Sequence, residues 1–291
     1  MSPETASDTR SVDLHVHTTA SDGDLAPAQC VDEAARLGLA AIAVTDHDTV
    51  AGNAEALARG AEVGIEVAPG VEISVDHPTL TVHLLGYYPE PAAGGFRAML
   101  DGLQHHREER NPRILARLAE LGCPVDAAEV MAIAGEGVVG RPHIAAAMIR
   151  RRYVATLNEA FDRYLAKGAP AYVGREKPTP EAAIAALLAA RAVPVLAHPG
   201  AMGARSIEEV EALVARLADA GLRGIEALYH ACTRPQTEAY TRLARRHGLL
   251  VTGGTDFHSA DRPGVPMGGR ADGLCLPYEL LARVKEVRDT L

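Results

Sequence analysis

Val12-Asp13-Leu14-His15-Val16-His17 is a short apolar run that closes on two histidines at i and i+2. In a strand, that spacing sends both imidazoles to one face. The run is followed by a helical pattern at Pro27–Leu37, and the alternation continues with Leu39–Thr45 and Val50–Val63. Two adjacent apolar runs come next, Ile65–Ser74 and Leu80–Tyr87. The rhythm resumes at Val193–Ala197, Ile207–Ala220, Gly224–Leu228, Pro235–His247 and Leu249–Thr255. Strand–helix alternation predicts a mostly parallel sheet with helices outside it. About seven strands predict a closed or nearly closed barrel, whose active site lies at the C-terminal ends of its strands.

Residues 95–191 break the rhythm. Helical patterns at Phe96–Leu121, Ala127–Ala134, Arg141–Arg152, Leu157–Lys167 and Pro180–Arg191 are punctuated by Gly122, Gly135, Gly140, Gly168 and Pro170. The expected organisation is therefore an α/β barrel built from 11–94 and 192–291, with a helical insertion at 95–191 over one barrel face.

Polar residues that suit metal ions recur along the barrel runs. Beyond His15 and His17, there are Asp46 and His47 in Thr-Asp-His-Asp, Glu72 in Gly-Val-Glu-Ile-Ser, and His83 in the fourth run. His198 follows in Leu-Ala-His-Pro, and Asp256 and His258 in Thr-Asp-Phe-His-Ser. Only Gly224–Leu228 contributes none. Ionisable groups are rarely buried without partners, so imidazoles and carboxylates gathered at one barrel end point to divalent metal. Asp13 and Asp46 beside them read either as acceptors that orient imidazoles or as strand-end caps. Arg141, between Gly140 and Pro142 at a helix start, reads as a two-pronged phosphate clamp. Arg175 and Lys177 read chiefly as solvated loop charges within reach of substrate, and His230 as a weaker candidate contact. His105–Arg110 reads as a solvated helix face, and His77 and His247 as surface histidines.

The set His-x-His, Ser-Asp-Gly, Thr-Asp-His-Asp, Gly-Val-Glu, Ala-His-Pro and Asp-x-His runs from Asp13 to Ser259, with Gly140-Arg141-Pro142-His143 in the insertion. It resembles the PHP (polymerase and histidinol phosphatase) superfamily, above all its stand-alone bacterial phosphoesterases. The resemblance implies a distorted (β/α)7 PHP barrel with two to three divalent ions, Mn²⁺, Fe²⁺ or Zn²⁺. It places His15, His17, Glu72 and Asp256 on a first ion. Glu72, His83 and His198 go to a second, with Glu72 bridging, and Asp22, His47 and His258 to a third. It supports Arg141 and His143 as substrate contacts, to which Lys177 is added from its loop position. Asp46, His258 and Arg141 are the candidate catalytic residues.

A hydroxide shared by two such ions is the expected nucleophile on phosphorus, and the ions neutralise phosphoryl charge. Three divalent ions against the carboxylates of Glu72, Asp256 and Asp22 leave a cationic pocket in a chain of net charge −9. The expected function is a metal-dependent phosphoesterase acting on small phosphorylated substrates, foremost nucleotides: a nucleoside monophosphate, a 3′,5′-bisphosphate or a short oligoribonucleotide. A ribosyl cyclic phosphate and histidinol phosphate are the alternatives within that chemistry. A metal-dependent amidohydrolase is the alternative outside it, although such enzymes need neither Thr-Asp-His-Asp nor the closing Asp-x-His. A structural metal module is disfavoured, because structural sites are closed by four ligands.

Composition sets the remaining bounds. The 291 residues are 47 % hydrophobic and 23 % charged, a globular balance without a disorder signature. The negative net charge repels long duplex nucleic acid. Cys30, Cys123, Cys232 and Cys275 form no CxxC pair and read as reduced thiols of a cytoplasmic protein. The opening MSPETASDTR lacks the apolar stretch of a signal peptide, and no apolar run reaches membrane-spanning length.

Overall fold

Seven strands form one sheet in sequence order: β1 (Val12–Val16), β2 (Ala41–Val44), β3 (Glu66–Val75), β4 (Val82–Tyr87), β5 (Val193–Leu196), β6 (Gly224–Tyr229) and β7 (Leu250–Gly254). The structure is a computed structural model and describes residues 10–259, 265–269, 274 and 276–291, so Cys275 lies outside the described residues. Pairing is parallel except around β4, which runs antiparallel to both β3 and β5. The sheet curls until β1 meets the end of β7. A parallel bridge joins Val16 to Phe257, and the His17 amide donates to the Phe257 carbonyl at 2.8 Å. The result is a nearly closed seven-stranded barrel.

β1 and β2 are buried at every residue, as expected of parallel strands covered on both faces. The reversed β4 corrects one expectation. His83 is the second residue of that strand, and it pairs with Ser74 near the C-terminal end of β3. An antiparallel strand reaches the active end with its N-terminus, so His83 joins the other candidates from the opposite direction.

Helices α1 (Pro27–Arg36), α2 (Asn53–Val63), α8 (Ile207–Asp219) and α9 (Arg234–Arg246) cover the barrel. α8 shows why: Val210, Leu213, Val214 and Leu217 repeat at i, i+3, i+4 and i+7 and are all buried. The Ser206 hydroxyl accepts from the Glu209 amide and starts the helix. A further helix, α10 (Glu279–Arg288), was not anticipated. It buries Leu281 and Val284 in the cluster that contains Val12 and Leu14.

Between β4 and β5 lie α3 (Gly94–Glu120), α4 (Ala127–Ala134), α5 (Arg141–Arg150), α6 (Leu157–Ala160, continued by a π-helical turn at Phe161–Leu165) and α7 (Pro180–Ala189). Phe96, Leu100 and Leu103 of α3 and Ile184 and Leu187 of α7 share the barrel's largest apolar cluster. Past Pro112, α3 enters a second cluster with Ile114, Leu118, Val130, Ile144, Met148 and Leu165. One helix thus belongs to both cores and carries the insertion over the active end of the barrel. Among the described residues no helix is long and apolar enough to cross a membrane.

Candidate metal centre

β1 delivers His15 and His17 side by side, with their Nε2 atoms 3.1 Å apart and both side chains fully buried. Facing them is Glu72 on β3. Its Oε1 lies 2.7 Å from Nδ1 of His83 and 2.9 Å from Nε2 of His198. Its Oε2 lies 2.9 Å from Nδ1 of His47, 3.2 Å from Nε2 of His17 and 3.3 Å from Nε2 of His15. Asp256 closes the group from beyond β7, with Oδ1 3.0 Å from His17 and 3.4 Å from His15. On the outer side, Asp22 Oδ1 is 3.5 Å from Nε2 of His258, whose ring stacks on His17 at 4.1 Å.

Ligand atoms fall into three overlapping groups: His15, His17, Glu72 and Asp256; His17, Asp22, His47 and His258; and His47, Glu72 and His83. The first has the members expected from the sequence. The other two differ in membership. His17 joins the group around Asp22, and His47 stands between that group and Glu72. His198 stays attached to Glu72 through its Nε2. All nine expected ligands are therefore brought to one place.

The residues fit divalent cations. Asp22 Oδ1, Glu72 Oε2, His47 Nδ1 and His198 Nδ1 are buried and make no hydrogen bond. Most buried polar atoms are hydrogen-bonded, so four orphans in one cluster call for positive charge among them. Imidazole and carboxylate donors without thiolate suit Mn, Fe or Zn. Without metal, protons take over part of this role. Burial opposes a charged His17, but Asp256 and Glu72 beside it raise it to about 10. His15 is likewise raised, against its burial, by Glu226, Glu72 and Asp256. Burial opposes the charged Glu72 too, but His47, His83 and His15 hold it well below the carboxylate range. For His83 burial wins and lowers it to about 4.

Outer partners set the ligands. Glu226, in the middle of β6, accepts from His15 Nδ1 at 3.0 Å and from the His198 amide at 2.8 Å. His15 is thereby held with its Nε2 lone pair toward the cluster. Gly254 lets this happen: a Cβ there would lie 2.4 Å from His15 Cβ and 2.9 Å from Glu226 Oε1. The sequence reading missed Glu226 because it took Gly224–Leu228 as an empty strand. The signal was present as one acid in an otherwise apolar run.

Asp13 and Asp46 differ in which of the two readings of acids beside ligands they follow. Asp13 accepts from the backbone amides of His15, Thr255 and Gly268 and from the Thr255 hydroxyl, so it ties strand ends and orients no ring. Asp46 accepts from the Thr18 amide and hydroxyl, both at 2.8 Å, and from Ser21 Oγ at 2.6 Å. Ser21 Oγ is in turn 3.4 Å from His17 Nδ1. Asp46 thus reaches an imidazole only through Ser21, a positioning role in place of the catalytic one expected.

The insertion adds cations. The His105–Arg110 run is solvated only in part: His105, Glu108 and Glu109 are exposed, but Arg107 and Arg110 are buried, as is Asp48, whose pairing with Arg107 was not anticipated. Asp48 Oδ2 accepts from Arg107 Nη2 at 2.5 Å and from Arg175 Nη2 at 2.7 Å, so Arg175 is no solvated loop charge either. Among the described residues Arg110 bonds the neutral Asn111 amide oxygen and no other group. Burial, with Arg107, Arg141 and Arg175 nearby, lowers it to about 8. Arg141 donates to the Leu165 carbonyl at 2.9 Å and lies over the Phe161 and Tyr172 rings, 5.5 Å from each. Neither Arg110 nor Arg141 pairs with a carboxylate among the described residues. Lys177 donates to the Val75 carbonyl at 2.8 Å and is lowered to about 8 by burial and by Arg175. His143 Nδ1 accepts from the Gly140 amide at 3.0 Å, which leaves Nε2–H of the neutral ring as its free donor. The position of a Cβ at Gly140 lies within 4 Å of both Arg107 Nη1 and Asp22 Oδ2, so cationic rim and ligand cluster adjoin. Tyr229, which precedes His230, donates to Asp256 Oδ2 at 3.3 Å.

Comparison with known proteins agrees with this geometry. The family described as PHP domain matches residues 13–165. A 3′,5′-nucleoside bisphosphate phosphatase of Chromobacterium violaceum is 33 % identical over 96 % of this chain and 99 % of its own. A 5′-3′ exoribonuclease of Haemophilus influenzae is 33 % identical over 86 % of this chain and 90 % of its own. Among solved structures, a candidate metal-dependent phosphoesterase of Bifidobacterium adolescentis superposes with a TM-score of 0.86 at 30 % identity, covering 97 % of this chain and 98 % of the other.

Two outcomes follow from the geometry. In the metal-free protein the raised imidazoles stabilise the fold fully below about 6.5, where the unfolded chain is also protonated, and this stability is lost as pH rises toward about 10. The lowered carboxylates stabilise it above about 4.5 and lose this as pH falls. Thermal unfolding of metal-free protein should therefore peak between about pH 4.5 and 6.5 and decline toward pH 10. Mn²⁺ should move the maximum upward, since metal requires unprotonated imidazoles. A metal-free melting temperature that rises steadily from pH 6 to 9 contradicts this. Separately, Glu226→Gln should weaken divalent-ion affinity on the order of 10–100-fold in a calorimetric titration, with the protein still folded; unchanged affinity would remove Glu226 from the centre.

Proposed function

The chain belongs to the PHP domain family and is a metal-dependent phosphoester hydrolase, and on that premise we propose that its substrate is a nucleotide bearing a second phosphate, foremost a nucleoside 3′,5′-bisphosphate. The observation that carries this reading is the surplus of buried cations beside the metal centre. Arg107 and Arg110 are buried and Arg141, Arg175 and Lys177 half-buried beside them, and among the described residues the one buried carboxylate paired with any of the five is Asp48, which holds Arg107 and Arg175. An uncompensated buried charge costs several kcal/mol. A dianionic phosphate that the reaction does not consume offsets that cost and gives the substrate its orientation.

When bound, divalent ions supply Lewis-acid activation of water and neutralise phosphoryl charge. His15, His17, Asp22, His47, Glu72, His83, His198, Asp256 and His258 would hold them. Around them the chain's own groups orient the substrate. Arg141 is held ready by two aromatic rings and a backbone carbonyl, so little side-chain freedom is lost when its fork meets a phosphate. His143 offers Nε2–H from the same rim. The relative from Chromobacterium, a 3′,5′-nucleoside bisphosphate phosphatase, supports the choice of substrate. The 5′-phosphorylated end of a short oligoribonucleotide places a 5′ phosphate and a 3′ phosphodiester at the same two positions and is the next substrate to try. In this reading 95–191 selects the substrate and the barrel of 11–94 and 192–291 performs the hydrolysis. The free thiols of Cys30, Cys123 and Cys232 fit a cytoplasmic setting.

Kinetics on two substrates test the proposal. Purified with Mn²⁺, the protein should release phosphate from a nucleoside 3′,5′-bisphosphate with a higher kcat/KM than from p-nitrophenyl phosphate. Arg110→Ala should lower kcat/KM for the bisphosphate by about 2–4 kcal/mol of transition-state binding, and that for p-nitrophenyl phosphate by far less. Equal losses on both would show that the cluster serves the scissile phosphate instead.

A further inference from the structure

We propose that Asp48 is the positioning residue through which the helical insertion fixes His47 in the metal centre. The inference rests on the metal-centre reading above. Unlike three of its neighbours, His47 has no outer partner among the described residues. His15 is held by Glu226, His17 has Ser21 Oγ beside it, and His258 bonds the Asp256 carbonyl. Among the described residues the buried Nδ1 of His47 makes no hydrogen bond and faces only Glu72 Oε2 at 2.9 Å, inside the cluster. Its place depends on the backbone on either side. Asp46 is tied to the loop after β1, and Asp48 is tied to the insertion.

Asp48 is fully buried, sits at φ 56°, and has every polar atom engaged. Its amide donates to the Glu72 carbonyl at 2.8 Å, and its Oδ1 accepts from the Ser74 amide at 2.8 Å. Those bonds join it to β3. Its carbonyl accepts from Gln104 Nε2 at 3.0 Å, and its Oδ2 accepts from Arg107 and Arg175. Those bonds join it to α3 and to the loop before α7. A non-glycine residue in the left-handed region persists only where its surroundings over-determine it. Here barrel and insertion determine it jointly, one residue from a ligand. The carboxylate that holds His47 also aligns Arg107 and Arg175, so the metal centre and the cationic rim share one anchor.

Asp48→Asn keeps the shape and removes the charge that the two guanidiniums share. In the metal-free variant, deuterium uptake should rise in the segment containing His47 and in α3 around Gln104 and Arg107. In a calorimetric titration with Mn²⁺ alone, one binding step should weaken on the order of 10–100-fold while the remaining steps stay as in the parent. Arg175→Gln, which removes only one of the two guanidiniums, should weaken the same step by less, and it decides the question if Asp48→Asn does not fold. A folded variant with an unchanged titration overturns the proposal, as does an equal weakening of every step. Phosphate release from a nucleoside 3′,5′-bisphosphate by the parent protein is a separate readout: its absence sinks the bisphosphate reading and leaves the titration as the test of Asp48.

Discussion

One buried carboxylate, that of Glu72, sits within 3.3 Å of nitrogen atoms from five imidazoles. Much of the remaining architecture answers to that arrangement. Burial of a carboxylate is costly unless positive charge surrounds it, and neutral imidazoles supply none. The cluster therefore requires protons or metal ions, and its orphaned nitrogen and oxygen atoms show where they belong. The barrel makes such a density of ligands possible because strands converge at one end while their side chains still point inward. Backbone departures mark the same place: Asp48, His198 and Asp256 all have positive φ. Strain of this kind is retained where surrounding contacts over-determine it, and here it turns ligands toward a common centre.

Around this centre the electrostatics change sign with distance. The ligand carboxylates are enclosed by imidazoles, Glu226 backs His15, and beyond Asp48 the insertion contributes guanidiniums in excess. A chain of net charge −9 thus concentrates cations at one buried position. Under the proposed function, that contrast favours a small polyanionic substrate at the site. It also explains why α3 spans both hydrophobic cores. A helix anchored in the barrel by Phe96 and Leu100 can carry Arg107 and Arg110 over the active end without loss of register.

The barrel, and the gathering of candidate ligands at one end of it, were legible because strand ends repeat one chemical signature in sequence order. What the sequence left hidden depended on partners far away in the chain. Glu226 looked like an isolated acid in an apolar run until the barrel brought it against His15, 211 residues away. Asp48 stood inside a quoted motif, yet its meaning came from Arg107 and Arg175. The run from His105 to Arg110 looked solvated by charge alone. Its spacing said otherwise, since Leu103, Arg107, Arg110, Ile114 and Leu118 lie on one helical stripe and all are buried. The strand end on which His83 lies was not legible, because strand direction is not encoded in an apolar run. The short stripe of α10, Leu281 and Val284, was too brief to register as a helix.

The account stands on Glu72 as the shared anion of a single centre. The most direct test is the metal content of folded Glu72→Gln after saturation with Mn²⁺ and removal of free ions. The isosteric amide keeps the packing and removes the charge. The account predicts that this one substitution releases more than one ion per chain, because the carboxylate belongs to two of the three ligand groups. A folded Glu72→Gln that retains the full complement of the parent protein would contradict it.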